Sequence, residues 1–467
     1  MKLSTRVVEY SIKVVFLLLV CALGYAPLFG QWEPDVRLTN DPAISATSFG
    51  NAWCVAASGD TVHVVWYDYR DAGSPYGEIY YKRSSDGGVI WGSETRLTYD
   101  DSTSHFPCVA ATSSFCHVVW EDTRDGNSEI YSKYSSDGGL TWGTDTRLTN
   151  DSAASGNPSM AVSGSYVHAV WNDSRSGGSD IFYNRSTDNG MTWGSDKQLS
   201  DFQSSNLASV AAFGNNVHVV WDDSRYGNSD IFYRHSTDAG LSWEPEVQLT
   251  ADPNQQTWPC VAARSFNVHV VWGDNRDAPN VEIYYKRSTD NGVTWGSDTR
   301  LTISPNSFYP CLAASGTNVH VTWRDVRGGP RIYYKVSTDN GNTWSPDTAL
   351  PSVNVIQLYP SIAASGTIVH VVWWDQRNGP SGNVEVYYKR NPAGNLGIEE
   401  KYEIAKSIES PKNLFTNIFR GPLVLPAGKK CRVLDITERV VEPSRMQPGV
   451  YFVEIDGKIV QKTVKVR

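Results

Sequence analysis

The chain has 467 residues, of which 40% are hydrophobic and 19% charged, so it can bury a substantial core and is neither disordered nor collagenous. The formal net charge of −9 leaves no basic surface of the kind that holds nucleic acid or an anionic membrane, which argues against nucleic acid as a partner. The 17 Trp and 24 Tyr are many for a chain with 4 Met, and the fold has to account for them.

The N-terminus has the pattern of a secretory signal peptide. Basic residues up to Lys13 precede an apolar run from Val14 to Leu23. This run is short for a membrane span and nothing later replaces it, so we expect residues 1–30 to be removed and the mature chain to have no span. Cys21 lacks the preceding small residue that a lipoprotein anchor needs. The mature protein is therefore predicted to be exported.

A repeat of about 50 residues follows. A segment such as Val62-His63-Val64-Val65-Trp66 recurs with its histidine at His63, His117, His168, His218, His269, His320 and His370. Each copy continues as Trp-x-Asp-x-Arg and then as an aromatic run such as Glu282 to Lys286. Six copies end in Ser-x-Asp-x-Gly-x-x-Trp, with the aspartates Asp86, Asp137, Asp188, Asp238, Asp290 and Asp339.

Each repeat predicts four short strands, which is typical of a β-propeller blade. The seventh copy lacks its end, but Trp32 to Thr39 aligns with Trp243 to Thr250 of the fourth copy. We therefore predict an all-β fold in which residues 31–391 form a seven-bladed propeller, closed by an N-terminal outer strand that protects the exposed edges.

The Ser-x-Asp-x-Gly-x-x-Trp segments resemble the Asp box, or BNR repeat, of propellers in the sialidase-like superfamily. The Ser and Asp oxygens can bind backbone N–H groups of a tight turn, Gly supplies a positive φ, and Trp packs the turn onto the blade. Because almost every blade has one, we interpret these aspartates as structural. The seven repeated histidines are interpreted in the same way, as blade-core residues.

The catalytic residues of sialidases cannot be transferred to this chain. It has no Phe-Arg-Ile-Pro motif near the first blade, seven blades where sialidases usually have six, and no Tyr/Glu pair outside the repeat. Sialidases hold the substrate carboxylate with arginines from separate blades, whereas nearly every arginine here has a repeat-equivalent position. We expect each Asp-x-Arg arginine to bridge two carboxylates, the second at the start of strand three, as with Glu78 or Glu282.

Candidate ligand-binding residues are those that break the seven-fold pattern. Just before the inner strand, one register holds Ala52, Phe106, Asn157, Leu207, Trp258, Tyr309 and Tyr359. Trp258, Tyr309 and Tyr359 are therefore expected side by side near the channel mouth, where they would either stack on sugar faces or plug the channel. Trp53 and Trp374 are expected to flank the closure seam on the same face.

Blade 6 departs furthest from the repeat. Arg331 replaces the carboxylate expected at the start of strand three, and Arg324 precedes Asp325. With Arg327 they form a predicted cationic cluster suited to a carboxylate or sulfate ligand, the alternative being an ordinary solvated loop. No cysteine or histidine spacing indicates a metal or cofactor, and the register-equivalent cysteines imply no particular disulfide pairing.

The composition changes after Pro392. We predict a linker over 392–401 and a small β-sandwich over 402–467. Gly449 to Val453 reads GVYFV, and a basic, β-branched tail follows. These features resemble the C-terminal sorting domains of type IX secretion substrates. The resemblance implies that this secretion machinery is a partner and that the protein crosses a bacterial outer membrane, to be secreted or attached to the outer surface. An accessory sandwich for adhesion is the alternative.

These observations favour a secreted or surface-displayed propeller that binds an extracellular glycan or glycoprotein, without evident catalytic residues. The first alternative is an exo-α-sialidase or related glycoside hydrolase. The second is a protein-interaction scaffold.

Overall fold

A computed structural model describes residues 32–48, 53–71, 77–201, 204–304, 306–351, 353, 355–378 and 384–393, together with 415–419, 431–435, 449–455 and 458–465. The predicted signal peptide, 1–30, and most of the predicted linker lie outside these residues. The described residues form strands and turns and no helix. Accordingly, the described part of the chain contains no helix that is long and apolar enough to cross a membrane.

Seven antiparallel sheets confirm the predicted seven-bladed propeller. From the inner to the outer strand, blades 1 and 2 are Ser45–Ala46 with Val55–Ser58, Thr61–Asp68, Glu78–Ser84 and Thr95–Arg96, then Ser104–Ala111, Cys116–Asp122, Glu129–Ser135 and Thr146–Arg147. Blades 3 and 4 are Ser155–Ser163, Tyr166–Asp173, Asp180–Ser186 and Lys197–Gln198, then Ser205–Phe213, Asn216–Asp223, Asp230–Ser236 and Val247–Gln248.

Blades 5 and 6 repeat the same order. They are Gln256–Arg264, Asn267–Asp274, Glu282–Ser288 and Thr299–Arg300, then Ser307–Ser315, Asn318–Asp325, Arg331–Ser337 and Thr348–Ala349. Blade 7 has Gln357–Ser365, Ile368–Asp375 and Glu385–Asn391, and its fourth strand is Val36–Arg37 from the start of the propeller. Val36 pairs with Tyr388, and Asp35 forms ion pairs with Arg377 and Lys389, each at 2.7 Å.

The second strand of each blade is the centre of the core, because neighbouring blades cover both of its faces. The tryptophan of every Trp-x-Asp-x-Arg segment is fully buried. In blade 5, Trp272 Nε1 donates a hydrogen bond to Asp274 at 2.8 Å, and Asp274 also binds Arg276 at 2.6 Å. The indole and the guanidinium thus share one buried carboxylate, which gives the indole N–H and one guanidinium nitrogen a partner.

The second partner of this arginine differs from the prediction. Arg276 binds Asp298, next to the outer strand, at 2.9 Å. The expected partner Glu282 instead accepts hydrogen bonds from Arg300 at 2.8 Å and from Thr302 at 2.5 Å. Arg276 therefore reaches past the third strand to a residue beside the outer strand. Glu282, the first residue of the third strand, pairs with the outer strand separately.

The Ser-x-Asp-x-Gly-x-x-Trp segments form turns that fasten each blade to the preceding one. In blade 5, Gly292 N–H donates to Ser288 Oγ and Thr294 N–H donates to Asp290 Oδ1, both at 2.8 Å. Trp295 then packs edge-on against Tyr233 of blade 4, with ring centroids 4.9 Å apart. Gly292 has a φ of +87°, and a Cβ there would lie 1.8 Å from the Tyr233 hydroxyl, so glycine is required on both counts.

The same tyrosine binds the repeated histidine of its own blade. The Tyr233 hydroxyl lies 2.7 Å from His218 Nδ1, and five other blades have the equivalent pair. Burial lowers the pKa of His218 to about 3, so the ring is neutral. Blade 2 is the exception, since Ser132 stands where the other blades have tyrosine. The prediction that the histidines are core residues agrees with these contacts.

The chain divides into two compact units, 1–397 and 398–467. In the second unit the strands Phe415–Phe419, Lys458–Lys465, Gly449–Ile455 and Cys431–Asp435 lie in this order in one sheet. The first two are parallel and the other neighbours antiparallel. The described strands form a single mixed sheet, so the β-sandwich stays a prediction.

Candidate binding site at the channel mouth

The inner strands of blades 2 to 7 each contain a β-bulge at the end of the blade opposite the Ser-x-Asp turns. One residue of every bulge has a positive φ, between 49° and 55°: Phe106, Asn157, Leu207, Trp258, Tyr309 and Tyr359. This is the register that the sequence placed just before the inner strand, and Ala52 of blade 1 lies outside the described residues. Bulky side chains rarely adopt this conformation, and such strain concentrates at functional sites.

Four aromatic side chains form a continuous arc across blades 5, 6 and 7. The ring centroids of Trp258 and Tyr309 are 4.8 Å apart, those of Tyr309 and Tyr359 are 4.9 Å apart, and those of Tyr359 and Trp374 are 5.8 Å apart. All four side chains are partly exposed. The predicted grouping of Trp258, Tyr309 and Tyr359 is therefore present, and Trp374 extends it.

A second set of mouth residues comes from the variable position of Trp-x-Asp, on the second strand. From blade 1 to blade 7 its members are Tyr67, Glu121, Asn172, Asp222, Gly273, Arg324 and Trp374. In blades 2 and 3 this side chain accepts the N–H of the bulge residue in the next blade: Glu121 from Asn157 and Asn172 from Leu207, both at 3.1 Å. Asp222 of blade 4 binds the N–H of Trp258 in the same way.

Glu121 and Asp222, the two buried carboxyl groups among these residues, have pKa values shifted in opposite directions. Burial raises the pKa of Asp222 to about 7, against the opposing effect of the Trp258 N–H. Burial also disfavours ionised Glu121, but His105, 3.4 Å away, and the Asn157 N–H more than offset this and hold its pKa below the ordinary value. Gly156 leaves room for this carboxylate, since a Cβ there would lie 2.5 Å from Oε2.

Gly273 explains why the tryptophan of the arc belongs to blade 5. A Cβ at Gly273 would lie 2.9 Å from the Trp258 ring, so the missing side chain lets the indole rest on its own blade. The sequence analysis missed Gly273, Glu121 and Asp222 as mouth residues. The signal was present, because one position varies freely inside a segment whose flanking Trp and Asp repeat in every blade.

The three arginines of blade 6 have different partners. Arg327 binds Asp325 at 2.6 Å and Asp347 at 2.7 Å, as its equivalents do in other blades, so its role is structural. Arg331 Nε donates to the Val353 carbonyl at 3.4 Å. Arg324 alone belongs to the mouth: its guanidinium lies 5.3 Å from the Phe308 ring, and its buried Nε has no hydrogen-bond partner among the described residues.

The sequence predicted that Trp53 flanks the closure seam on the loop face, but the structure places it elsewhere. It lines the central channel with small apolar residues of every blade, such as Ala212, Ala263 and Ala314, around a volume of about 190 Å³. The idea that aromatic residues plug the channel therefore fits Trp53, while the arc of Trp258, Tyr309, Tyr359 and Trp374 occupies the mouth.

The six predicted structural aspartates lie in the turns, at the far end of the blades. Hydrogen bonds from the Thr192 hydroxyl and from backbone N–H groups lower the pKa of Asp188 to about 2, as expected for a carboxylate that holds a turn together. Within the described ranges, no group of three or more His, Cys, Asp or Glu side chains is arranged to hold a metal ion.

The sequence matches no protein-family model and no curated protein. Among solved structures, the fold is similar to an ulvan lyase, a polysaccharide lyase, with 11% identity, a TM-score of 0.53, and coverage of 74% of this chain and 94% of the lyase. A second polysaccharide lyase has 10% identity, a TM-score of 0.52, and coverage of 78% and 100%. A Trypanosoma rangeli sialidase in complex with the inhibitor DANA has 13% identity, a TM-score of 0.43, and coverage of 64% and 56%. At these identities the polysaccharide lyases share the propeller fold with this chain.

Proposed function

We propose that the protein is an exported propeller that binds a glycan at the channel mouth. The arc of Trp258, Tyr309, Tyr359 and Trp374 carries this proposal. It is continuous and partly exposed, and Trp258, Tyr309 and Tyr359 have a backbone conformation that bulky residues rarely adopt. Sugar rings present C–H groups that pack against aromatic faces, and an arc spanning three blades can contact consecutive sugars. Polysaccharide lyases with the same fold support this ligand class.

The charge at the edge of the arc favours an acidic glycan. Arg324 lies beside Tyr359 and over Phe308. A guanidinium in this position suits a sugar carboxylate or sulfate, which it can bind through two parallel hydrogen bonds. Asn172, Glu121 and Asp222, at the other side of the mouth, are buried and bind the backbone of the next blade, so the proposed contacts to the glycan come from the arc and Arg324.

A second candidate function is glycan cleavage. Glu121 and Asp222 are two mouth carboxyl groups whose pKa values move apart, one down and one up to about 7, which is the pattern of an acid/base pair in glycoside hydrolases. The sialidase version of this alternative requires a tyrosine activated by a glutamate. Tyr309 and Tyr359 contact other aromatic rings, which favours stacking for both. A protein-interaction scaffold has no specific observation in its favour.

The proposal extends to export and assembly. Residues 1–30 are proposed to be a signal peptide, the Ser-x-Asp turns to be Asp boxes, and the Val36–Arg37 strand to close the ring. Residues 402–467 are proposed to be a sorting domain for type IX secretion, released or retained at the outer surface after passage. The support for these points is the sequence pattern, together with the Val36–Tyr388 pairing for the closing strand.

The binding site is tested by Trp258→Gly, which removes the indole while keeping a residue that tolerates the positive φ. We expect affinity for an acidic polysaccharide to fall by about tenfold, because one stacking platform is lost. Binding is measured by titration calorimetry with acidic and neutral polysaccharides, and reducing ends are assayed in the same samples to detect cleavage.

Leu207→Gly is the matched control, since Leu207 has the same bulge position and a φ of 52° but is not aromatic. It should bind like the unchanged protein. Unchanged affinity in Trp258→Gly, or an equal loss in both variants, would overturn the proposed site. Release of reducing ends by the unchanged protein would replace binding with cleavage as the function.

A further inference from the structure

One register of the inner strands places a small polar side chain at every blade interface around the channel. Its members are Cys54, Cys108, Ser159, Ser209, Cys260, Cys311 and Ser361. The serine hydroxyls accept backbone N–H groups of the next blade. Ser209 Oγ accepts from Val261 at 3.2 Å, and Ser361 Oγ accepts from Cys54 at 3.0 Å, across the junction of blades 7 and 1. Cysteine occupies the same register in the other four blades.

Cys260 and Cys311 stand apart within this ring. They belong to consecutive blades, both are buried, and their sulfur atoms are 4.0 Å apart. A disulfide bond is about 2.05 Å long, so each sulfur has to move by only about 1 Å, which a small side-chain rotation supplies. The two cysteines also lie two residues after Trp258 and Tyr309, the aromatic pair whose ring centroids are 4.8 Å apart.

We infer that Cys260 and Cys311 form a disulfide bond in the exported protein and thereby fix the bulges of blades 5 and 6 against each other. The bond replaces two S–H bonds by one S–S bond, and the two protons and two electrons pass to a disulfide-bearing oxidant of the exported compartment. Because both sulfur atoms are buried, oxidation takes place while the chain folds. The closed loop spans 51 residues between the partners. The oxidising compartment that this bond needs rests on the proposed export. Its relevance to the aromatic arc rests on the proposed glycan site.

The equivalent pair in blades 1 and 2 provides a contrast. Cys54 and Cys108 occupy the same register in consecutive blades, but Cys54 Sγ accepts the Ser48 N–H at 3.1 Å and lies 3.5 Å from the Pro107 carbonyl oxygen. The Ser48 N–H and the Pro107 carbonyl oxygen therefore fix the position of this sulfur. The inference therefore assigns a bond to Cys260 and Cys311 and leaves Cys54 and Cys108 as thiols.

The test uses the whole mature chain, refolded with oxidised glutathione, then unfolded, alkylated and digested without reductant. We expect one cross-linked peptide pair that contains Cys260 and Cys311, with alkylated Cys54 and Cys108. Reduction during refolding should lower Tm by about 5 °C, because the link no longer restricts the unfolded chain. The double variant Cys260→Ser/Cys311→Ser should show no such redox dependence, and it keeps acceptors like those of Ser159 and Ser209.

The double variant Cys54→Ser/Cys108→Ser is the matched control and should retain the full Tm shift. Alkylation of both Cys260 and Cys311 after oxidative refolding, or a cross-link between any other pair, would overturn the inference. Glycan binding is measured separately on the oxidised and reduced forms. A bond that forms in a protein without glycan affinity leaves this inference standing and removes the proposed function, whereas binding without the bond does the reverse.

Discussion

The two ends of each blade use the same seven-fold repeat in opposite ways. At the turn end the side chains repeat, and the contacts repeat with them: five turn tryptophans, and Trp32 in the equivalent place of blade 7, pack on a tyrosine of the preceding blade with centroid distances of 4.8 to 4.9 Å. At the mouth end the backbone repeats, with φ values between 49° and 55°, but the side chains differ from blade to blade. The mouth can therefore change its chemistry without any change in the contacts that hold the blades together.

The mouth itself is divided by the residue between Trp and Asp of the second strand. In blades 2 to 4 this residue is an acceptor that binds the next bulge, which gives a polar half. In blade 5 it is Gly273, which leaves room for an indole, and in blades 6 and 7 it is Arg324 and Trp374. One variable position per blade thus decides which part of the mouth stacks and which part forms hydrogen bonds.

The comparison predicts that stability depends most on the repeated contacts. Asp274→Ala removes the buried acceptor shared by Trp272 and Arg276. Leaving an indole N–H and a guanidinium without their partner should lower the free energy of unfolding by about 3 to 5 kcal/mol, measured by urea denaturation. Asp298→Ala removes the partly exposed end of the same fork, whose side chain is 21% exposed, so its loss should be smaller, about 1 kcal/mol. Equal losses of unfolding free energy in the two variants would show that the buried carboxylate contributes no more to stability than the partly exposed one.

A smaller effect is expected at the mouth, where Asp222→Asn recreates the blade 3 arrangement of Asn172 with Leu207. The pKa of Asp222 is raised to about 7 by burial, so the native protein binds a proton that the unfolded chain releases near pH 4. Native stability due to this group is therefore present below pH 4 and is lost as the pH rises to about 7. Asn removes this loss, and the variant should be about 2 kcal/mol more stable at pH 8 and no more stable at pH 4.

The neighbouring Asp223→Asn gives the opposite sign. Burial disfavours its ionised form, but Arg225 and Ser205 more than offset this and lower its pKa to about 2, so the charge stabilises the fold above pH 4. This variant should lose stability at pH 8. The measurement for both is urea denaturation across pH 4 to 8. A gain for Asp222→Asn that does not depend on pH would contradict the assigned cause.

The sequence predicted the blades well because their signal is periodic. A Trp that must be buried and an Asp that must accept its N–H recur together, and a repeat fixes both their register and their number. The arginine fork was predicted with the wrong partner because two acids recur in six of the seven blades, Glu282 and Asp298 in blade 5. An aligned repeat does not say which of them the guanidinium reaches.

The mouth was only partly predictable for a different reason. The positive φ at Trp258 and Tyr309 leaves no trace in the sequence, because no glycine marks it. The aromatic register was still detected, since a run of rings stands out against Asn157 and Leu207. The role of Gly273 follows from a contact within its own blade, which only the folded backbone brings together, and Trp53 reaches the channel in the same way.

A small effect is expected in blade 2, the one blade whose third strand lacks the tyrosine that binds the repeated histidine. Ser132 of blade 2 stands in the position of Tyr81, Tyr183 and Tyr233, so Trp193 of blade 3 lacks the ring that its equivalents pack against. Ser132→Tyr should add this contact and a hydrogen bond to His117, and raise the free energy of unfolding by about 1 kcal/mol in urea denaturation.

The reverse change, Tyr81→Ser, is the control and should lower the free energy of unfolding by about 3 kcal/mol, because it deletes a buried ring and leaves His63 Nδ1 without its partner. Gly190, which faces blade 2, sets the limit on the gain: a Cβ there would already lie 2.9 Å from His117 Nδ1. If Ser132→Tyr destabilises the protein, the turn of blade 3 has closed over the missing ring. The turn end would then adapt to its side chains, and the strict division between a repeating end and a varying end would not hold.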